Sequence, residues 1–190
     1  AANPLESRAH AEKRGAACYG RLSGYGIASD GFHIGSPSPE GQTAAIRAAL
    51  ADARLRPEQV SYFNAHATAT RGGDPIETDS IRAAFGEAAD SLPVSSTKAI
   101  HGHLLGGTSA MELAICALAI QGSFLPATAH LDEIDPECKL HHIANEPELD
   151  TPVEHAVSLS AGFGGTNVAL AVSKEHDLLT KFPVSEASTN

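Results

Sequence analysis

Three short segments hold the residues whose types and spacing could do chemistry. In the first, His66 is flanked by Ala65, Ala67, Thr68, Ala69 and Thr70, so small side chains leave its imidazole open to a ligand with hydroxyls beside it. In the second, Lys98, His103 and Glu112 lie within fifteen residues around a glycine-rich loop. Two imidazoles, a lysine and a carboxylate on an apolar segment suit the stabilisation of a developing oxyanion or enolate better than simple nucleophilic hydrolysis. In the third, Gly162-Phe163-Gly164-Gly165-Thr166-Asn167 can bring bare backbone amides close to a substrate, or simply turn between two strands.

The remaining histidines suggest less. His10, His130, His155 and His176 fall in polar loops or at helix ends and read as solvated side chains. His141 and His142 are adjacent, and neighbours on a strand face opposite sides, so they do not read as a metal pair. His101 and His103 alternate in a glycine-bracketed loop before a helix, where an anion or a polarised carbonyl is as plausible a partner as a cation. No metal site is expected. Three scattered cysteines, Cys18, Cys116 and Cys138, make neither a disulfide framework nor a zinc cluster, and a reducing compartment follows as the default.

The elements that must position these residues can be read from patterning. Of 190 residues, 42% are hydrophobic and 19% charged, which excludes a disordered or collagen-like chain and leaves room for a sizeable core. The net charge of −10 argues against sequence-independent binding to nucleic acid or anionic membranes. Basic residues gather before residue 26 and acids between Asp132 and Glu154, both read as solvated surface. The longest apolar stretch, Met111 to Ile120, is interrupted by Glu112 and too short to span a bilayer. No signal peptide is visible, and the missing initiator Met suggests a processed or cut chain.

Extended pieces are expected at 21–27 and 31–34, then a proline loop at 36–39 and a helix through Ile46, Ala49, Leu50 and Ala53 that breaks at Arg56-Pro57. A strand at 60–64 leads into the His66 segment. Asp74, Pro75 and Glu77 then read as N-cap, first helical residue and capping-box acid of a helix ending near Gly86. A strand at 92–96, a loop at 98–107 and a helix at 108–121 follow, the last apolar almost all round and therefore expected to be buried inside a larger body. Two final strands, 156–160 and 168–173, should form an antiparallel pair at the end of a mixed sheet, and a polar tail begins at Glu175. Alternating strands and helices give an α/β fold with helices on both faces of the sheet.

The three segments together resemble one family. Asn64-Ala65-His66-Ala67-Thr68-Ala69-Thr70 is similar to the Asn-Ala-His-Gly-Thr-Ser-Thr motif of β-ketoacyl-acyl-carrier-protein synthases. Ser95-Ser96-Thr97-Lys98 through Gly102-His103-Leu104-Leu105-Gly106, with Glu112 downstream, resembles the family's second histidine motif, and Gly162 to Asn167 its C-terminal glycine loop. Gly73-Asp74-Pro75-Ile76-Glu77 looks more like the polyketide ketosynthases, so fatty-acid and polyketide types both stay open. The resemblance runs from about Leu5 to Lys174 and implies the C-terminal half of a thiolase-like fold, with a mixed five-stranded sheet.

It also implies a decarboxylative condensation of malonyl on acyl carrier protein with an acyl group held on a cysteine. His66 and His103 would bind the malonyl thioester oxygen, and Lys98 and Glu112 would orient His103. Phe163 would lend a backbone amide to the oxyanion hole and gate the acyl pocket with its ring. Thr68 and Thr70 would hold the phosphopantetheine arm, with Gly164 also binding substrate. No cofactor is expected on the chain itself, since the carrier's phosphopantetheine brings the substrate.

The nucleophilic cysteine belongs to the family's N-terminal half, and none of Cys18, Cys116 and Cys138 has its setting, so this chain is expected to be one piece of a larger cytoplasmic ketosynthase. Expected partners are that N-terminal half, acyl carrier protein and a second whole subunit. Two alternatives remain: a non-condensing partner of the chain-length-factor kind, and a thiolase-related acyl-CoA enzyme. Ala67 stands where the family has glycine, Ala69 where it has serine, and Ile100-His101 where it more often has Met-Thr. A residue needing positive φ at 67 would be strained.

Overall fold

The computed structural model describes residues 3–35 and 37–175. His176 and the tail beyond it lie outside those residues. Glu175, assigned from sequence to the tail, is buried and accepts from the Arg8 guanidinium at 3.2 Å.

Six strands form one mixed sheet in the order β1-β6-β5-β2-β3-β4. They are β1 (Arg21–Ser29), β2 (Tyr62–Asn64), β3 (Pro93–Ser95), the two-residue β4 (His141–His142), β5 (His155–Gly162) and β6 (Thr166–Ser173). The short β4 adds a sixth strand to the five expected. Strands β5, β2, β3 and β4 are mutually parallel, while β6 runs antiparallel to β5 and β1 antiparallel to β6. The β5–β6 hairpin is thus the antiparallel pair expected from the sequence, but it lies inside the sheet because β1 covers its outer edge. β1 is also longer than its pattern suggested. The extended piece expected at 31–34 is a turn, organised by the Asp30 carboxylate, which accepts from the amides of Phe32 (3.2 Å) and Ser38 (3.1 Å).

Helices cover both faces. The α2 helix (Pro39–Ala53) packs on β1 and β6 beside α3 (Gly73–Phe85), and their apolar sides meet Phe63, Val94, Val157, Leu159, Ala169 and Ala171 in one core. On the other face, α5 (Thr108–Gly122) packs on β5 and β6, where Cys116 and Ile120 join Tyr62, Ala156 and Val172. Alternation along the strands sends neighbours such as Tyr62 and Phe63 to opposite cores. The short α1 (Arg8–Lys13) precedes the sheet, and α4 (Lys98–His101) and a 3₁₀ turn (Leu105–Gly107) occupy the segment expected to be a plain loop.

Two expectations about helices need correction. First, α3 starts at Gly73 with Gly72 as its N-cap, and the side chain that accepts from its first amide, that of Gly73, is the Thr70 hydroxyl at 3.2 Å. The Asp74 carboxylate accepts from the Thr70 amide at 3.2 Å, and Glu77 turns away from the helix start altogether. Second, α5 is buried on one stripe only, at Thr108, Glu112, Cys116, Ala119 and Ile120, with Leu118 on the other side 48% exposed. The 3₁₀ turn runs straight into it, so the helical run Leu105–Gly122 reaches 18 residues with mean hydropathy 1.2. Among the described residues that run is long and apolar enough to cross a membrane, where the sequence alone suggested a shorter one. Its buried Glu112 and its seat on β5 are those of a core helix, yet among the described residues only 28% of the run is buried.

β1 and α2 approach each other backbone to backbone. A Cβ on Gly26 would lie 2.1 Å from the Ala45 carbonyl oxygen and 2.6 Å from the Ala49 amide nitrogen. Backbone atoms cannot swing aside, so Gly26→Ala must push α2 off the sheet. It should cost about 2–3 kcal/mol or more in urea unfolding. A loss below ~0.5 kcal/mol would contradict this packing.

Candidate active site

Loops leaving the C-terminal ends of parallel strands meet on one edge of the sheet, the usual place for a site in such an arrangement. β2 ends at Asn64 and delivers His66, β3 ends at Ser95 and delivers Lys98 and His103, and β5 ends at Gly162 and delivers Phe163. The parallel register, Phe63 opposite Val94 and Asn64 opposite both Ser95 and Ser158, fixes these exits side by side. A cavity of about 690 Å³ opens among them, lined by His66, Thr68, Thr70, His103 and Phe163. Of the residues singled out from sequence, these five share the cavity, while Lys98 lines an adjoining one that also meets Thr68 and His103, Glu112 is fully buried, and Gly164 follows Phe163 in its loop.

The two imidazoles meet edge to face, with centroids 5.5 Å apart and planes at 83°. His103 Nδ1 accepts from the Leu105 amide at 3.3 Å and lies 2.9 Å from Thr108 Oγ1, which leaves the proton of a neutral ring on Nε2. Leu105 reaches this position with φ of 51°, a left-handed conformation. Thr108 and Leu105, neither suggested by sequence, therefore hold His103 directly. Lys98 instead forms an ion pair and hydrogen bond with Glu112, and no direct bond from Lys98 to His103 is present among the described residues. Burial raises the Glu112 carboxyl, opposed by the hydrogen bond and charge of Lys98. Ser160 Oγ lies 3.4 Å from the other carboxylate oxygen.

His66 is fixed through its backbone. Glu77, fully enclosed on α3, accepts from the amides of His66 and Ala67, both at 2.7 Å. Burial pushes the Glu77 carboxyl up to about 7, against the pull of those two amides and Lys98. Burial also pushes the His66 imidazole down to about 4, helped by the charge of Lys98 and by His103. The His66 Nδ1 atom is buried without a hydrogen-bond partner among the described residues. Ala67 is free of left-handed strain. The strained residue of the motif is Ala69, with φ of 57°.

The glycine loop is tied to a distant turn. Gly164 and Gly165 both have φ of 82°, and a Cβ on Gly165 would lie 2.0 Å from Asp30 Oδ1. Asp30 donates its amide to the Gly165 carbonyl at 3.0 Å and accepts from Asn167 Nδ2 at 3.2 Å, while the Gly164 amide donates to the Ile34 carbonyl at 2.9 Å. Burial raises the Asp30 carboxyl, but its hydrogen bonds outweigh that and hold it below the usual carboxylate range. His33 and Ile34 from this turn line the cavity too. Nothing local in the sequence points to this turn, since its Asp30–Asn167 pairing spans 137 residues. Phe163, at the tip of the loop, is 87% exposed.

The other candidates stay apart. His10 and His130 are exposed, but His155, expected to be solvated, is half-buried, with Nδ1 at 2.9 Å from Ser173 Oγ. His141 and His142 contact backbone carbonyls of Ser91 and Cys138, and His101 lies 3.0 Å from Thr97 Oγ1. All three cysteines are free, with the Cys116 thiol pushed up chiefly by burial. Among the described residues no group of three or more His, Cys, Asp or Glu is placed to hold a metal.

Because the folded pKa of Glu77 lies above its ordinary value of 4.5, the fold favours the protonated acid. Its contribution to stability is complete below pH 4.5 and is lost as pH rises through about 7. Urea unfolding across that window should show the wild type losing more stability than Glu77→Gln. Parallel pH profiles for the two would contradict the burial assigned to this carboxyl.

The chain is similar to known proteins. Residues 19–132 match the family described as "Beta-ketoacyl synthase, C-terminal domain". Nodulation protein E of Rhizobium meliloti is 44% identical over 167 residues, covering 88% of this chain and 41% of that protein. The 3-oxoacyl-[acyl-carrier-protein] synthase 2 of Staphylococcus aureus (strain COL) is 44% identical over 172 residues, covering 90% of this chain and 41% of its own length. Among solved structures, the ishigamide ketosynthase/chain length factor superposes with a TM-score of 0.85 at 32% identity, over 90% of this chain and 41% of that one. The chain thus spans about two-fifths of the length of the relatives it matches.

Proposed function

Since the chain belongs to the β-ketoacyl synthase C-terminal domain family, we propose that it supplies the decarboxylating half of a ketosynthase that condenses malonyl on acyl carrier protein with an enzyme-bound acyl group. The observation that carries this reading is the pair of imidazoles, 5.5 Å apart in one cavity, backed by a buried Lys98–Glu112 pair. His66 and His103 donate N–H bonds to the malonyl thioester oxygen. The bond from the malonyl α-carbon to its carboxylate breaks, carbon dioxide leaves, and the electron pair passes to that oxygen as an enolate. Donors aimed at charge that develops only in the transition state lower its energy selectively.

The enolate carbon then attacks the acyl thioester carbonyl. Its oxyanion is held by the Phe163 backbone amide, the tetrahedral adduct collapses, and the cysteine thiolate leaves. That cysteine lies in the N-terminal half of the same ketosynthase, which also covers the open side of α5. Thr68, Thr70 and the Gly164 backbone receive the phosphopantetheine arm that carries the malonyl group, and no cofactor is bound to the chain itself. The low pKa of His66 supports a neutral donor, as does the tautomer that Leu105 and Thr108 select for His103. Lys98 and Glu112 serve as positioning residues, acting through the α4–α5 junction and through Lys98's charge on His66. The whole subunit works as a homodimer in the cytoplasm.

One of the relatives reported above is a solved ketosynthase/chain length factor, so a non-condensing partner is the second reading. Presence of both imidazoles in one cavity favours condensation over it, and over a thiolase-type acyl-CoA enzyme. Release of labelled carbon dioxide from malonyl-acyl carrier protein by the intact protein tests the choice. His66→Ala and His103→Ala should each lower that release by about 10²–10³-fold, the effect of removing one donor to a developing oxyanion. Undiminished release in both variants would contradict the mechanism.

A further inference from the structure

Two serines in the cavity wall have no role in the steps above, and they join the site to the buried ion pair behind it. Ser109, in the first turn of α5, and Ser160, near the end of β5, are half-buried and line the cavity that holds both imidazoles. Ser109 Oγ donates to Ser160 Oγ at 2.9 Å, and Ser160 Oγ donates to Glu112 Oε2 over a longer 3.4 Å. The other oxygen of Glu112 accepts from the Lys98 ammonium, and Lys98 lines the adjoining cavity of about 620 Å³. A line of exchangeable protons therefore runs from one cavity to the other through Lys98, Glu112, Ser160 and Ser109. One hydroxyl would be enough to satisfy Glu112. The Ser109 side chain makes its hydrogen bond to Ser160 and to no other group among the described residues, so it extends the line into the cavity without capping the helix. The remaining titratable groups that face Glu112 lie off this line: His101 from α4, the Cys116 thiol one turn along α5 and the Tyr62 hydroxyl from β2.

We propose that this line is the proton inlet of the condensing site. The proposal rests on the ketosynthase reading above. Condensation as written there consumes one proton per turnover, because the malonyl carboxylate leaves as carbon dioxide and the cysteine leaves as a thiolate. Ser109 gives its hydroxyl proton into the cavity, where the thiolate takes it. Ser160 then restores Ser109, and Glu112 restores Ser160 with a proton taken from Lys98. Lys98 regains its proton from water in the adjoining cavity. The net change is one proton moved from solvent to sulfur, and each residue on the line ends as it began. Both hydroxyls must turn about a single bond between steps, a freedom that serine retains. Transfer within the ion pair exchanges two charges for two neutral groups, which burial favours.

The test uses the intact protein with malonyl-acyl carrier protein and an acyl primer. Ser109→Ala and Ser160→Ala should each lower kcat about 10²-fold, the lower end for loss of a positioned proton donor. Each should also raise the solvent deuterium isotope effect on kcat and regain turnover as imidazolium buffer is added, since a small acid in the cavity replaces the missing donor. Ser109→Thr and Ser160→Thr, which keep a hydroxyl, should recover most of the lost turnover. A cavity wall that is only misshapen would lose kcat with neither the isotope effect nor the buffer response, and that result would overturn the proposal. So would an unchanged kcat in both alanine variants, or a loss confined to one of them. If the wild type releases no carbon dioxide from malonyl, the ketosynthase reading itself fails, and the two failures are told apart.

Discussion

A lysine and a glutamate removed from water together decide how this site is built. Glu112 is fully buried on the stripe of α5 that faces the sheet, and Lys98, 8% exposed, meets it from the start of α4. Either charge left alone there would be costly, on the order of 3–5 kcal/mol for a broken buried pair. The two helices are therefore locked together, and the segment between them, which carries His103, has little freedom in where it runs. The same lysine acts across the cavity, adding its charge to the burial that keeps His66 from protonating.

A second buried acid completes the frame from the opposite side. Glu77 holds the backbone of His66 and Ala67 from α3, so the two histidines are fixed by different helices resting on opposite faces of the sheet. The parallel strands β2 and β3 fix the distance between the loops that carry them. The Phe163 loop comes from the neighbouring β5–β6 hairpin and is tied down by the Asp30 turn at the end of β1. Every element of the sheet beyond β4 thus contributes one wall of the cavity. Among the described residues the outward face of α5 has no such partner, and the chain covers about two-fifths of its relatives' length. The proposed N-terminal half would bury that apolar face as well as supply the nucleophile.

Much of this was legible in the sequence, and the failures have physical reasons. The strand-loop order, the α2 and α5 helices and the three chemical segments follow from local patterning and turn residues. Glu77 misled because its spacing from Asp74 fits a capping box, a local rule that a tertiary demand overrode: two amides after β2 needed an acceptor. Asp30 and Ile34 escaped notice because their partners Asn167, Gly165 and Gly164 lie far along the chain, where periodicity carries no signal. The apolar girth of α5 marks a helix that belongs inside a larger body, but composition states only that a face wants cover and does not say which chain provides it. Ala67 drew attention as a replaced glycine, whereas the left-handed residue is Ala69, a backbone detail that residue type alone does not reveal.

The central claim is that the cavity presents neutral imidazoles as donors, with His66 kept neutral by burial and by Lys98. The most direct measurement is the ¹⁵N chemical shift of the His66 ring in the intact protein as pH is lowered. A ring that stays in its neutral form until the pH approaches about 4 is the predicted result. A ring that titrates at or above its ordinary value of 6.5 would contradict the account.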